Sequence, residues 1–381
     1  MRAQLAANPI IRHLLLPVAQ ILAFILVTGA VLSAVVVVAA LAVRGSVTDY
    51  DLVQRTLEIL PKVLLDGVTF GFVYASIALG YTMVYGVLEF INFAHSEIFM
   101  LGGIVGLELL AFLDSQASLA GLTGLGQYLV IGLAILVAML AAGGLAVGVE
   151  RVAYRPLRNA PRLVPLISAI GVSFFLQDAV RFVLSVTTGE FDVIIPSVGT
   201  LDTPIVFSPP GMRVPIQIQA KSILIVVVAM GMLLLLNYVV NATRIGKAIR
   251  AVAQDRSAAS LMGINVNTII AVTFLIGGAL GGAAGVLFAL KATRINAFTG
   301  FLPGLRAFTA AVLGGIGNLT GALLGGLVLG MLESFAGSYL SMFTNGAFGG
   351  EYKDIITFAI LIMILIFRPS GLLGQPVGQK A

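Results

Sequence analysis

Long apolar runs, separated by short clusters of charge, order this chain from one end to the other. Leu14 to Val43 carries no charged residue over 30 positions, more than the ~20 a helix needs to cross a bilayer. Further apolar runs follow at Val63–Tyr85, Phe93–Leu113, Gln127–Val149, Val164–Val186, Ser222–Asn241 and Val266–Leu290. Toward the C-terminus the pattern is less regular. Arg306–Ile316, Leu319–Ser338 and Ile355–Phe367 are apolar, but the first and third are short and read as broken or tilted helices. The pattern predicts an all-α, polytopic transmembrane helical bundle of about 8–10 spans.

The charge clusters orient the bundle. Arg2, Arg12 and His13 precede the first run, which places the N-terminus inside. A cleaved signal peptide has an apolar core of about 7–15 residues, and this run is too long for one. The loop Glu150–Arg162 holds Arg151, Arg155, Arg158 and Arg162; the loop Ala242–Arg256 holds Arg244, Lys247, Arg250 and Arg256. Counting every run as a crossing puts both loops inside, with Arg368 and Lys380 at an inside C-terminus. Lys291, Arg294 and Arg306 then fall outside, against the rule. Arg44 to Lys62 mixes both signs of charge and reads as a short amphipathic connection outside. Thr187–Lys221, with Pro196, Pro204, Pro209, Pro210 and Pro215 among β-branched residues, reads as a small extended or hairpin element or as an ordinary linker.

Composition agrees with a membrane protein: 59% of residues are hydrophobic and 10% charged, against about 25% charged in soluble domains. The net charge of +5 fits loop bias rather than nucleic-acid binding. With no cysteine there are no disulfides, thiolate metal sites or cysteine nucleophiles, and two histidines make a His-rich metal site a poor expectation. The 44 glycines point to close helix packing, and Gly277, Gly281 and Gly285, like Gly317, Gly321 and Gly325, recur every four residues as packing stripes.

Catalytic signatures are missing. There is no G-x-x-x-x-G-K-[ST] phosphate loop, no H-E-x-x-H and no G-x-S-x-G, so neither ATP binding of that kind nor an intramembrane enzyme is supported. The densest polar patch within apolar sequence runs from Gly86 to Glu97 and holds Glu89, Asn92, His95, Ser96 and Glu97. Glu89, Asn92 and Ser96 would share one face of a helix. Polar groups at membrane depth are costly and tend to line a path, so a substrate pathway or gate is one reading and a solvated turn the other. Asp66, Gln177, Asp178 and Arg181 are further intramembrane polar groups; Asp178 and Arg181, three apart, are expected to pair. An ion-coupled carrier would need an unpaired carboxylate, for which Asp66 and Glu89 are the candidates. Ile249–Gly263, IRAVAQDRSAASLMG, is a charged segment of helical composition between two spans, with small residues that offer a close-packing surface.

Four ordered stretches, GVTFGFVYASIALGYTMVYGVLEFINFAHSEIFMLGG, RAVAQDRSAASLMGINVN, LRAFTAAVLGGIGNLTGALLGGLVLG and YKDIITFAILIMILIFRPSGLLG, resemble permeases of the branched-chain amino acid ABC transporter family, of its first permease type. The resemblance covers roughly Leu60 to Gly374. It implies a type II ABC importer permease fold, with residues 1–55 as an N-terminal extension carrying an extra helix, 56–375 as the transmembrane domain and 376–381 as a tail. It implies Glu89, Asn92, His95, Ser96 and Glu97 near the translocation path, and Arg250, Asp255, Ser257, Ala258, Ala259 and Gly263 in a loop that couples to an ATPase. The implied partners are a second permease, two ATP-binding subunits, an external substrate-binding protein and the lipid bilayer of a bacterial inner membrane. The resemblance implies that this chain binds no cofactor and no nucleic acid, and that ATP is hydrolysed by the partners. Residue 96 is serine where the family commonly has glycine. Uptake of urea or a short amide, an ion-coupled carrier and a membrane scaffold are the rival readings.

Overall fold

The computed structural model describes residues 16–43, 52–116, 119–122, 124–158, 160–161, 163–196, 198–208, 215–368 and 370–374. Arg2, Arg12, His13, Arg44, Arg162, Pro209, Pro210 and the tail with Lys380 lie outside the described residues. The helices are α1 (Leu16–Val43), α2 (Leu52–Leu88), α3 (His95–Gln116), α4 (Gly124–Val149), α5 (Leu163–Thr187), α6 (Gly199–Asp202), α7 (Ala220–Ala242), α8 (Arg244–Gln254), α9 (Arg256–Leu261), α10 (Val266–Ala292), α11 (Phe301–Gly314), α12 (Leu319–Phe343) and α13 (Lys353–Phe367). Among the described residues, eight helices are long and apolar enough to cross a membrane: α1 to α5, α7, α10 and α12. The chain is a multi-pass, all-α membrane bundle. Helices α11 and α13 have 14 and 15 residues, about 21–23 Å at 1.5 Å per residue, short of the ~30 Å hydrocarbon layer.

Helices α2, α3, α10 and α12 form the buried centre, and α1, α4, α5 and α7 surround it with apolar side chains turned outward. Outside a membrane, faces such as that of Leu129 and Leu140 on α4 would be exposed; in a bilayer they meet lipid. With no hydrophobic force between helices in lipid, close backbone approach has to supply the attraction. At the α3–α10 contact, a Cβ on Gly102 would strike the Gly282 backbone, and one on Gly285 would strike Phe99 and Gly103. Gly277 lies on Gly80 of α2, Gly281 on the His95 ring, and Gly321 and Gly325 on Gly314 and Ala310 of α11.

Gly317 is not part of this packing. It sits in the turn between α11 and α12 at φ +90°, with Gly315 at +104°, and no atom lies within 4 Å of where its Cβ would be. The four-residue spacing to Gly321 is therefore no helical stripe; it arises because α12 begins between them, capped by Asn318 Oδ1 accepting from Gly321 N–H at 3.0 Å. The C-terminal segment closes the same turn, Leu372 N–H donating to the Leu313 carbonyl at 2.7 Å.

Two further expectations are corrected. The charged connection before the second span is helical from Leu52 on, so Lys62 and Asp66 belong to the 37-residue α2. Asp178 and Arg181 do not pair; the Arg181 guanidinium lies over the Phe191 and Phe298 rings, 5.6 and 5.8 Å from their centroids. The outward cations that broke the charge rule are held by partners: Lys291 Nζ lies 2.6 Å from Asp66, and Arg306 bonds Asp354. Arg294 belongs to an outer ladder, β4 (Arg294–Asn296), paired antiparallel with β1 (Asp192–Ile194). The proline-rich outer loop forms a hairpin of β2 (Pro204–Phe207) and β3 (Ile216–Gln219).

Candidate functional site

Two short helices make the segment between α7 and α10. Thr243 caps α8, its Oγ1 accepting from Gly246 N–H at 3.1 Å, and Asp255 caps α9, accepting from Ser257 and Ala258 N–H at 2.8 and 2.9 Å. The charged segment of helical composition is thus two short helices that meet at Asp255. Gly246, Ile249 and Val252 bury one face of α8, while Arg250 reaches back to the Val240 carbonyl at the end of α7. Ala259 is buried, Ser257 and Ala258 are exposed, and Gly263 turns the chain at φ +82°. Leu261 and Met262 are 89% and 82% exposed. Sequence reading passed over this pair, although two large apolar residues in a polar loop were its signal.

The segment reaches the first polar patch directly. Arg256 Nη2 donates to the Val87 carbonyl at 2.9 Å, at the C-terminal end of α2, an otherwise unsatisfied helix-end acceptor. There α2 stops, because Glu89 takes the left-handed conformation at φ +57°, and α3 restarts at His95. Glu89, Asn92 and Ser96 therefore do not share a helical face: Glu89 is exposed in the break and Asn92 is buried in it. The break and the α8–α9 segment line one cavity of about 330 Å³ with Tyr154 and Arg158.

Above the cavity the polar residues pack against each other. Helix α4 ends in a wide π-type turn, Glu150–Tyr154, a departure common at functional sites. It carries Tyr154, whose hydroxyl donates to Asn92 Oδ1 at 2.6 Å. Arg158 pairs with Glu150 and bonds Asn267 on α10; burial lowers its pKa, with Glu150 opposing the shift. The His95 ring stands edge-on to Tyr81 at 4.7 Å. Glu97 is fully buried, and its Oε1 accepts from Gln177 Nε2 at 2.8 Å, Ser173 Oγ at 3.1 Å and Ser96 Oγ at 3.3 Å. Thr82 Oγ1, Asn92 Nδ2, His95 Nε2 and Glu97 Oε2 are buried with no hydrogen-bond partner among the described residues, an unusual density of unsatisfied groups. The space beside Tyr81, Thr82 and Asn92 is about 10 Å³, no more than a single water's worth. The arrangement is a closely packed, buried polar cluster. Tyr154 and Ser173 escaped the sequence reading; Ser173 and Gln177, four apart on α5, were the available signal.

A glycine-packed, membrane-spanning bundle whose buried polar cluster is joined to a pair of short exposed helices fits a membrane transport subunit. The comparisons place it: the family described as branched-chain amino acid transport system, permease component, matches residues 63–365, and the chain belongs to that family. It is 42% identical over 317 residues to the high-affinity branched-chain amino acid transport system permease protein LivH of Escherichia coli K12, covering 83% of this chain and 96% of that one. It is 43% identical over 317 residues, with the same coverages, to the permease protein BraD of Pseudomonas aeruginosa. The probable branched-chain amino acid transport permease LivH of Methanocaldococcus jannaschii is 29% identical over 321 residues, 82% of this chain and 92% of that one. No solved structure gives a significant match.

Proposed function

We propose that this chain is the permease subunit of an ABC importer for branched-chain amino acids in a bacterial inner membrane. It works with a second permease, two ATP-binding subunits and an external substrate-binding protein. The observation that carries the reading is the Arg256–Val87 hydrogen bond, because it ties the segment offered to an ATPase to the break that bears the polar cluster. Exposed Leu261 and Met262 form the docking knob. When the ATPases close on ATP, α8 and α9 move, the end of α2 follows, and Asn92 separates from Tyr154. A zwitterion with an apolar side chain then passes between the unsatisfied polar groups and the apolar walls. Neither carboxylate named for an ion-coupled carrier stands free: Asp66 is paired with Lys291 and Glu89 has a partner of its own.

The test is Arg256→Ala in the assembled transporter. ATP hydrolysis is expected to persist while leucine uptake falls by about tenfold, the effect of losing one charge-assisted hydrogen bond of about 1.5 kcal/mol from the coupled state. Uptake at the unmodified level, with hydrolysis unchanged, would remove this bond from the coupling route.

A further inference from the structure

Helix α4 turns one continuous stripe outward. Leu129, Leu133, Leu136 and Leu140 are exposed, and the same face runs on in steps of three and four residues through Gly144 and Val147 to Arg151. Near that end a groove of about 490 Å³ opens between α4 and the start of α10. Its deeper wall is apolar, formed by Val147 on α4 and by Ala271, Val272 and Leu275 on α10. Gly144 keeps the groove open, since no atom lies within 4 Å of where its Cβ would be. The mouth is of a different kind: Arg151 and Arg155 line it together with Asn265 and Thr268.

The two guanidinium groups are unmet. Both arginines are exposed, and among the described residues no hydrogen bond or ion pair reaches either. The neighbouring Glu150 is buried and already pairs with Arg158, and no acidic residue is among the described residues that line the groove. Asn265 Oδ1 accepts from Thr268 N–H at 3.1 Å, which leaves its amide N–H groups to donate. The 26 residues of α4 span about 39 Å, more than the ~30 Å hydrocarbon layer. Arg151, just past the end of α4, therefore lies at headgroup level, and Gly144 is about 10 Å deeper along the helix. We infer that this groove binds an anionic glycerophospholipid, its phosphodiester held by Arg151 and Arg155 and one acyl chain laid along Gly144 and Leu275.

The chemistry selects this occupant. Guanidinium forks match phosphate oxygens in shape and charge, and basic pockets between transmembrane helices are suited to anionic headgroups. A soluble phosphate would satisfy the cations and leave the apolar wall uncovered. A zwitterionic lipid would bring an ammonium group that finds two cations and no carboxylate at the mouth. The groove opens on the lipid-facing stripe of α4, where a membrane ligand has direct entry. The inference goes beyond the transport reading and needs only the membrane-spanning bundle.

The chain has no tryptophan, so a single introduced one reports alone. Leu140→Trp stands on the stripe about 16 Å before Arg151, beside the acyl chains of a lipid held there and outside the groove lining. The full chain, reconstituted in phosphatidylcholine vesicles, is titrated with phosphatidylglycerol brominated in mid-chain and, separately, with phosphatidylcholine brominated in the same way. Quenching of Leu140→Trp is expected to show a preference of about tenfold for the anionic lipid, and quenching of Leu129→Trp, at the other end of the stripe, less than about twofold. Arg151→Gln with Arg155→Gln should bring Leu140→Trp down to the Leu129→Trp level, whereas Arg151→Lys with Arg155→Lys, which keeps the charge, should retain the preference. Equal quenching by the two lipids at Leu140→Trp, a preference that survives both glutamines, or one lost equally with both lysines overturns the inference. Loss of the preference on adding inorganic phosphate, but not chloride at the same ionic strength, also overturns it and makes the groove a site for a soluble anion.

Discussion

Arg306→Met is expected to destabilise the chain by about 3 kcal/mol, seen as a lowered thermal unfolding midpoint of the purified transporter. Arg306 reaches from the short α11 to three other helices. Its Nη2 binds both oxygens of Asp354 at 2.7 and 2.8 Å, and its Nη1 lies 3.2 Å from Glu333 Oε1 and 3.0 Å from the Tyr74 hydroxyl. Tyr74 in turn donates to Glu333 Oε2 at 2.6 Å, and Lys353 Nζ lies 2.8 Å from Glu333 Oε1. Two cations and two carboxylates thus close a network joining α2, α11, α12 and α13. Removing one partner of a buried pair costs about 3–5 kcal/mol because the other charge is stranded. The Asp354 side chain is 33% exposed and is partly rescued by water, which favours the lower end of that range. The α11–α13 attachment depends on this network, since both helices are too short to be held by a full span's packing. Arg306→Met combined with Glu333→Gln should cost less than the sum of the single changes, as coupled neighbours do. An unshifted midpoint for Arg306→Met would show that the network contributes nothing.

Glu97→Ala is expected to reduce leucine uptake by about tenfold or more, and Glu97→Gln by no more than about threefold. The carboxylate is the acceptor that holds α5 to α3. Alanine strands the Gln177 and Ser173 donors, and losing two buried hydrogen bonds at about 1 kcal/mol each lowers the population of the tethered state by up to about thirtyfold. Glutamine keeps an acceptor oxygen in the same place. Uptake by membrane vesicles, corrected for the amount of assembled transporter, separates the two variants. If glutamine were as damaging as alanine, the charge itself, and not the tether, would be what transport requires.

Much of this architecture is legible without coordinates. The spans follow from uninterrupted apolar runs. The proline-rich outer loop forms the hairpin that its β-branched residues favour. What escapes sequence reading depends on backbone or on distance. The break after Leu88 hangs on one non-glycine residue, Glu89, in a left-handed conformation; a glycine there would have announced it. Gly317 and Gly321 have helical spacing, yet a helix begins between them. Tyr74 and Glu333 are 259 positions apart, and Asn92 meets Tyr154 across 62; only the packed bundle brings them together. Arg306, set on the wrong side by the charge rule, belongs to a network that makes the rule irrelevant to it. Asp178 and Arg181 had the spacing to pair, but two aromatic rings compete for the guanidinium and win.

The most direct test of the central claim is uptake by the reconstituted system. Proteoliposomes containing this chain, its second permease and both ATP-binding subunits should accumulate leucine only when ATP is supplied to the ATPases and a leucine-loaded binding protein is present on the opposite face. Accumulation by liposomes holding this chain alone, driven by an ion gradient without ATP, would contradict the account.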